Sequence, residues 1–223
     1  MRRPACLLLL LALTSALPAP AIAQDLRLPF DGRWFVAQGG DTLNVNHHMA
    51  ARGQLYGVDF LKTGGPGDRA VVRGDGSSRE DYYGWEAPVR SPAAGLVEEA
   101  VGDLPDQPLG TKDAAHPFGN HVVVRQADDR HVVVAHLRQG SLSVHAGDRI
   151  AAGDLIGLCG NSGNTDAPHV HVHVQDRAGL SAPDATGRNP VFSHMDVEMN
   201  GARFPDITWP LIRGLWVEPH VRR

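Results

Sequence analysis

Short valine-rich runs, each bounded by turn-forming residues, recur along this chain of 223 residues. Clear cases are HVVVR (121–125), HVVVAHL (131–137) and HVHVHV (169–174), and GVDFLK (57–62) and GLVEEAV (95–101) are similar. After the first 23 residues no long apolar stripe of helical period appears, whereas 25 glycines and 16 prolines punctuate the chain. The pattern predicts an all-β fold, mostly antiparallel, as a sheet or sandwich. The runs on either side of QADD (126–129) are expected to form a hairpin.

Two stretches are too long to be compact turns. Residues 63–84 and 103–119 are rich in Gly, Pro and Asp. Loops beyond about 12–15 residues within a compact domain are usually functional or disordered. These two segments are therefore expected either to be flexible surface or to wall a long substrate groove.

The first residues have the pattern of a signal peptide. Two arginines precede an apolar run that ends in Ala-Ile-Ala at 21–23. The apolar run is too short to span a bilayer, and no other stretch approaches the roughly 20 apolar residues required. We expect residues 1–23 to be removed and residues 24–223 to form a single exported domain, periplasmic or extracellular, with no membrane span. An uncleaved anchor is the alternative.

The charge of the chain argues against a nucleic-acid partner, and its cysteine content excludes an internal disulfide. Removal of residues 1–23 takes away two arginines and no acid, so the formal charge of −4 becomes −6. This balance argues against a nucleic-acid partner, which favours a basic stripe. Only Cys159 remains in the mature chain, which excludes an internal disulfide and favours a buried structural thiol. The sequence leaves the oligomeric state open.

The run HVHVHV raises a question of chemistry. In a strand, His169, His171 and His173 lie on one face and the intervening valines on the other. Such a run is either a polar strand face that happens to be His-rich or part of a metal and proton-transfer site.

Two further polar groups stand in apolar runs. Asp59 lies in YGVDF, where an acid is unusual unless it is paired or bound to a cation. His136 stands near the end of a valine-rich run, and strict alternation places it on the same face as Val132 and Val134. A buried polar group without a partner is costly, so both residues are expected to have partners.

Zinc suits these side chains. It accepts His nitrogen and carboxylate oxygen, and catalytic zinc sites use three protein ligands and leave one position open. Two histidines and Asp59 supply such a set, and two further histidines could transfer protons near neutral pH. Other catalytic signatures are missing, because the chain has no HExxH motif and GNSG (160–163) is not a nucleophile elbow.

The stretch from HVVVAHL to PHVHVHV, residues 131–174, resembles the catalytic core of the lysostaphin/LytM-type zinc metallopeptidases, a family with the duplicated hybrid motif. The shared features are a strand ending in His-Leu, paired Gly turns, GNSG and Pro-His-x-His, in order and spacing. YGVDF and EAPVRSPAAGLVEE (86–99) also resemble family strands. The resemblance covers about residues 43–175 and leaves 176–223 as a C-terminal extension.

The resemblance implies a function. It implies a groove across an antiparallel sheet, one Zn²⁺ per chain, and hydrolysis of peptide bonds in peptidoglycan stem peptides or cross-bridges by metal-activated water. Asp59 and His171 match metal ligands of the family. His136 and His169 match its two catalytic histidines, which do not bind the metal.

The first metal ligand departs from the family pattern. The family usually has a His four residues before the Asp, and Leu55 occupies that position here. The nearest candidates are His47 and His48. His48 continues the polar face of LNVNHH if a strand persists there, and an N-x-H … Y-x-x-D-F variant of the family segment also selects it. The predicted ligands are therefore His48, Asp59 and His171, with His47 as the alternative to His48.

Two rival functions share these residues. Because of Leu55, the chain could be a metal-poor relative that binds the cell wall or activates an amidase. It could also be a general secreted protease with the same site. His173 lies beyond the family motif. It is expected either to contact the metal ligands without binding the metal or to face solvent.

Overall fold

A computed structural model describes residues 25–65, 67–180, 182 and 184–221. The strands within these residues are β1 Trp34–Gln38, β2 Val58–Lys62, β3 Pro88–Arg90, β4 Gly95–Val101, β5 Asn120–Arg125, β6 His131–Leu137, β7 Arg149–Ile150, β8 Leu155–Leu158, β9 Val170–Gln175, β10 Gly187–Arg188, β11 Val191–Met199, β12 Ala202–Pro210 and β13 Trp216–Pro219. The predicted signal peptide, residues 1–23, lies outside the described residues.

Helical structure in the described residues is limited to short 3-10 turns. They span His47–Ala50, Arg52–Gln54 and Arg79–Asp81. The prediction of an all-β, mostly antiparallel fold is confirmed. Across the part of the chain that the structure describes, no helix has the length and hydropathy needed to cross a membrane.

One large sheet dominates the described part of the chain. Its strand order is β12-β11-β13-β1-β2-β9-β6-β5-β4-β7, with β10 paired to β9, and β3 pairs separately with β8. The predicted hairpin is β5–β6, in which Arg125 lies opposite His131. The C-terminal strands join this sheet because β13 pairs with β1. The chain beyond residue 175 therefore extends the sheet that carries the predicted site.

Alternation divides the side chains of the central strands between two faces. One face packs into the main hydrophobic core, with Val58 and Phe60 of β2, Val132 and Val134 of β6, and the valines of β9. The opposite face carries a smaller apolar cluster that includes Val133 and Ala135. In the register of β6 and β9, Val133 lies opposite His173 and Ala135 opposite His171. The histidine side chains of β9 therefore lie on the face away from the main core.

His136 departs from this alternation, so its predicted position on the face of Val132 and Val134 is wrong. Its φ is +64°, in the left-handed region that residues other than glycine rarely adopt. The irregular residue lets Ala135 and His136 both leave the core face, and Leu137 returns to the core. Backbone bonds hold this conformation: His136 N donates to Phe118 O, and His136 O accepts from Gly160 N.

The free thiol of Cys159 is fully buried in the main core. Burial raises its pKa far above the usual value, because ionisation would place a charge in an apolar environment. The predicted buried structural thiol is confirmed.

A charged cluster connects the three C-terminal strands. Asp196 of β11 accepts hydrogen bonds from Arg203 Nη2 at 2.8 Å, from Asp206 N at 3.0 Å and from His220 Nδ1 at 2.6 Å. Burial opposes ionisation of Asp196, but these bonds outweigh it and lower its pKa to about 2. The ionised carboxylate therefore stabilises the packing of these strands.

We expect Asp196→Asn to destabilise the fold at neutral pH. An amide nitrogen cannot accept from Arg203, and loss of a bond to a charged group costs about 2 kcal/mol, or roughly 4–8 °C in Tm for a domain of this size. Because the folded pKa lies below the unfolded value of about 3.9, the wild-type advantage is present above that value. It is lost as pH falls toward about 2.

Thermal melts of both proteins between pH 7 and pH 2 measure this difference. Asp206→Asn is the matched control, because its half-exposed carboxylate bonds to the exposed side chain of His194. An equal loss of Tm in both variants, or a difference that does not shrink in acid, would contradict the assignment.

Candidate metal and catalytic centre

Strand pairing brings Asp59 and His171 together. In the β2–β9 register Asp59 lies directly opposite His171, so the two side chains share the face away from the main core. His171 Nδ1 lies 2.9 Å from Asp59 Oδ1. The two residues are 112 positions apart in the sequence, and the sheet places them within the reach of one ion.

His48 contacts the same carboxylate, but the local structure of its segment differs from the predicted one. Its segment is a 3-10 turn and not a continued strand, because the Asn46 side chain caps the turn by accepting from His48 N. Asn46 Nδ2 also donates to Gly57 O at 3.0 Å, which ties the turn to the start of β2. His48 Nε2 consequently lies 3.0 Å from both oxygens of Asp59.

His47 lies beside this pair. The rings of His47 and His48 are 4.1 Å apart between centroids. His47, His48 and Asp59 each offer one ligand atom within 4.8 Å of the others and could hold a metal ion. His47 is exposed and His48 is buried. The choice between the two histidines stays a prediction.

The two predicted catalytic histidines lie next to each other at the edge of this cluster. The ring centroids of His136 and His169 are 4.6 Å apart, and His169 Nε2 lies 3.6 Å from Asp59 Oδ1. His136 Nδ1 lies 2.9 Å from Ser162 O, and His169 Nδ1 lies 2.8 Å from Ala167 O. Since a carbonyl only accepts, each Nδ1 carries the proton, and each neutral ring has its lone pair on Nε2.

The charges in this cluster depend on one another. Burial opposes ionisation of Asp59, but the charge of His169 and a hydrogen bond from its ring hold the pKa of Asp59 well below the usual value. Burial and the neighbouring histidines lower the pKa of His136 well below its usual value. Burial also opposes protonation of His169, but the charge of Asp59 outweighs it and raises that pKa. A buried anion is therefore surrounded by imidazoles.

An open cleft of about 460 Å³ gives access to the cluster. It is lined by all five predicted site residues, by His47 and by parts of two loops. Lys112, Pro117 and Phe118 of the long segment 103–119 form part of its wall, as one of the two interpretations predicted. Among the described residues that line this cleft there is none from segment 63–84.

Two residues behind the cluster, His173 and Gln175, were not among the predicted site residues. His173 is fully buried, and its Nδ1 lies 2.8 Å from His171 Nε2, so the solvent-facing alternative for His173 is wrong. The ring of Phe118 covers it at 5.5 Å between centroids. Gln175, the next residue on the same face of β9, is also fully buried and lies 3.3 Å from His173 Nε2. The period-2 pattern that aligned the histidines extends to Gln175 and was the available signal.

Part of the chain matches a known protein family. Residues 82–183 match the family described as Peptidase family M23. This segment contains His136, His169 and His171, whereas His48 and Asp59 precede it. The segment that matches this peptidase family therefore contains three of the five predicted site residues.

Individual relatives are similar to parts of the chain. Endolysin 2638A of Staphylococcus phage 2638A is 40% identical over 86 residues, which are 37% of this chain and 18% of the endolysin. The match spans less than a fifth of that relative's length. The catalytic domain of the antimicrobial peptidase lysostaphin from Staphylococcus simulans is 21% identical, with 70% of this chain and 86% of that chain covered and a TM-score of 0.41.

A zinc containing peptidase from Vibrio cholerae is 19% identical, with 68% of this chain and 36% of that chain covered and a TM-score of 0.41. The predicted resemblance to lysostaphin/LytM-type peptidases is confirmed.

Proposed function

We propose that this chain is an exported zinc metalloendopeptidase that hydrolyses peptide bonds in peptidoglycan stem peptides or cross-bridges. The observation that carries the proposal is the buried carboxylate of Asp59, which contacts ring nitrogens of His48 and His171 at about 3 Å and has the histidine pair His136 and His169 beside it.

The residues present fit one zinc ion per chain. A buried carboxylate needs a compensating cation, and Asp59 is only 6% exposed. His48 Nε2, an oxygen of Asp59 and His171 Nδ1 would hold the ion, a nitrogen and oxygen donor set that zinc accepts. When bound, zinc supplies Lewis acidity to the scissile carbonyl and to water.

His136 and His169 would move the protons of the reaction. The bonds from their Nδ1 atoms to backbone carbonyls fix each ring and leave Nε2 as the working nitrogen. A neutral ring can accept a proton at Nε2 from the attacking water, and a protonated ring can stabilise the oxyanion or deliver a proton to the departing amine. Two adjacent rings at one cleft supply both states.

The class of substrate rests on the family segment and on export. The matched family is a peptidase family, one relative is a phage endolysin and another is an antimicrobial peptidase. The pattern of residues 1–23 is that of a signal peptide, which would deliver the domain to the periplasm or the exterior, where peptidoglycan lies. The open cleft is accessible to an extended peptide.

Incubation of the mature protein, residues 24–223, with purified cell wall tests the proposal. We expect zinc near one per chain and new peptide termini in the peptidoglycan fragments by mass spectrometry. Exhaustive chelation should remove the cleavage, and zinc should restore it, because the three proposed ligands lose their ion and regain it.

Three outcomes would overturn parts of the proposal. Full cleavage after exhaustive chelation would exclude the metal mechanism. Wall binding with neither zinc nor cleavage would favour a binding module or amidase activator. Rapid digestion of an elastin-like peptide with no action on cell wall would favour a general protease.

A further inference from the structure

We propose that His173 and Gln175 act as positioning residues: they form a buried chain of hydrogen bonds that makes Nδ1 the metal-binding nitrogen of His171. The inference rests on the proposed metal site and assigns a task to two residues outside it. Neither residue lines the cleft that exposes the site.

The chain runs along one face of β9. His171 Nε2 lies 2.8 Å from His173 Nδ1, and His173 Nε2 lies 3.3 Å from Gln175 Oε1. Gln175 Nε2 donates to Arg177 O at 2.7 Å and to Gly179 O at 3.1 Å. His171 is 1% exposed, and His173 and Gln175 are 0% exposed.

The donor and the acceptor of each hydrogen bond follow from the two backbone carbonyls at which the chain of bonds ends. The two carbonyls only accept, so the amide nitrogen of Gln175 faces them and its oxygen faces His173. That oxygen also only accepts, so His173 Nε2 carries a proton. A neutral imidazole has a single N–H, and burial favours the neutral form, so His173 Nδ1 is an acceptor. His171 Nε2 must then donate to it.

The bond from His171 Nε2 to His173 determines the protonation of the other ring nitrogen, Nδ1, which faces Asp59. With its proton on Nε2, neutral His171 has a lone pair on Nδ1, 2.9 Å from Asp59 Oδ1. Two acceptors at this distance repel each other unless a cation lies within reach of both. The chain thus prepares Nδ1 as a ligand, and it supplies the bond on the far nitrogen that metal-binding histidines almost always make.

The surroundings keep this chain dry. Phe118 lies over His173 at 5.5 Å between ring centroids, and the side chains of Val133 and Ala135 lie on the same face of the neighbouring strand. Water that could replace the protein acceptor for His171 Nε2 is therefore excluded, so loss of the His173 nitrogen leaves that N–H unpaired.

The test uses His173→Phe and His173→Asn in the full mature protein. Phenylalanine fills a similar volume without an acceptor, whereas asparagine offers an oxygen near the position of the His173 Nδ1 atom. We expect zinc affinity, measured by competition with a chelating dye, to fall about 10–100-fold in His173→Phe and to recover largely in His173→Asn. Nitrogen-15 NMR of the His171 ring in metal-free wild type should show the proton on Nε2.

His121→Phe is the matched control. His121 is a buried histidine that packs on Phe118 and bonds to the Gly119 carbonyl, and it takes no part in the chain of hydrogen bonds. Thermal melts of the metal-free proteins verify that each variant folds. The proposal is overturned if folded His173→Phe binds zinc as tightly as wild type, or if metal-free wild type has the His171 proton on Nδ1. Failure of wild type to bind zinc would instead overturn the proposed function, while the NMR result still decides the direction of the chain.

Discussion

Asp59→Ala is expected to abolish zinc binding and peptidase activity. Asp59 is the carboxylate that joins the other two proposed ligands, with His48 Nε2 at 3.0 Å and His171 Nδ1 at 2.9 Å from its oxygens. Without it, two neutral imidazoles from separate segments remain, and the site has lost its anionic ligand. Loss of a partner outside the ligand set already weakens metal binding about 10–100-fold, so loss of a ligand should exceed 100-fold.

Thermal melts with and without zinc measure this effect independently of substrate. At a zinc concentration of about 100 times Kd, binding stabilises the wild type by about 2.7 kcal/mol, or roughly 5–11 °C in Tm. Asp59→Ala should show no such rise. Its metal-free Tm should lie below that of wild type, because the lowered pKa of Asp59 means that the fold stabilises the carboxylate that the substitution removes.

Asp166→Ala is the matched control for Asp59→Ala. Asp166 lines the same cleft, is highly exposed and pairs with Lys112 at 2.8 Å. This variant should retain the zinc-dependent rise in Tm. Zinc bound to Asp59→Ala with wild-type affinity would remove Asp59 from the ligand set.

The regular part of the fold was accessible from sequence because strand side chains alternate with a period of two. Alternation placed Asp59, His169 and His171 on polar strand faces, and family motifs indicated that these faces meet. The structure pairs Asp59 with His171 across β2 and β9. Pairing between strands far apart in sequence is not encoded in either strand alone, so the resemblance was needed to join them.

The irregular part was not accessible in this way. His136 leaves its predicted face because its backbone has φ of +64°, a conformation stabilised by bonds to Phe118 and Gly160 that no local pattern reveals. The segment before β2 offered alternating residues, but the side chain of Asn46 caps a 3-10 turn there. Both exceptions lie at the candidate site, where tertiary contacts override local period.

Burial was the other quantity that alternation could not supply. His173 was placed on the right face, yet whether that face meets solvent depends on Phe118, which belongs to the long segment 103–119. The C-terminal extension likewise joins the sheet through Trp216, opposite Phe35 of β1. Within that extension Leu211 and Leu215 are buried, whereas Trp209 is 64% exposed.

The histidine pair should show a different result from Asp59, namely loss of catalysis with zinc retained. We expect His136→Asn and His169→Asn each to lower kcat by about 10²–10⁴-fold, the usual contribution of a positioned proton-transfer group. Asparagine suits position 136 because it tolerates a positive φ better than most residues. His145→Asn is the control, since His145 is strongly exposed and lies outside the cleft lining.

The double variant separates two ways in which the pair could work. If one proton passes through both rings during a single turnover, removal of the first ring already disables the second. The loss in His136→Asn/His169→Asn should then be close to that of the worse single variant, as for other residues that act as a unit. Losses that multiply would show two independent tasks, and zinc loss in either single variant would move that histidine into the ligand set. The rings are 4.6 Å apart, which is close enough for the effects of the two substitutions to couple. The cleavage rate at saturating substrate and the zinc content are therefore measured for wild type, both single variants and the double variant.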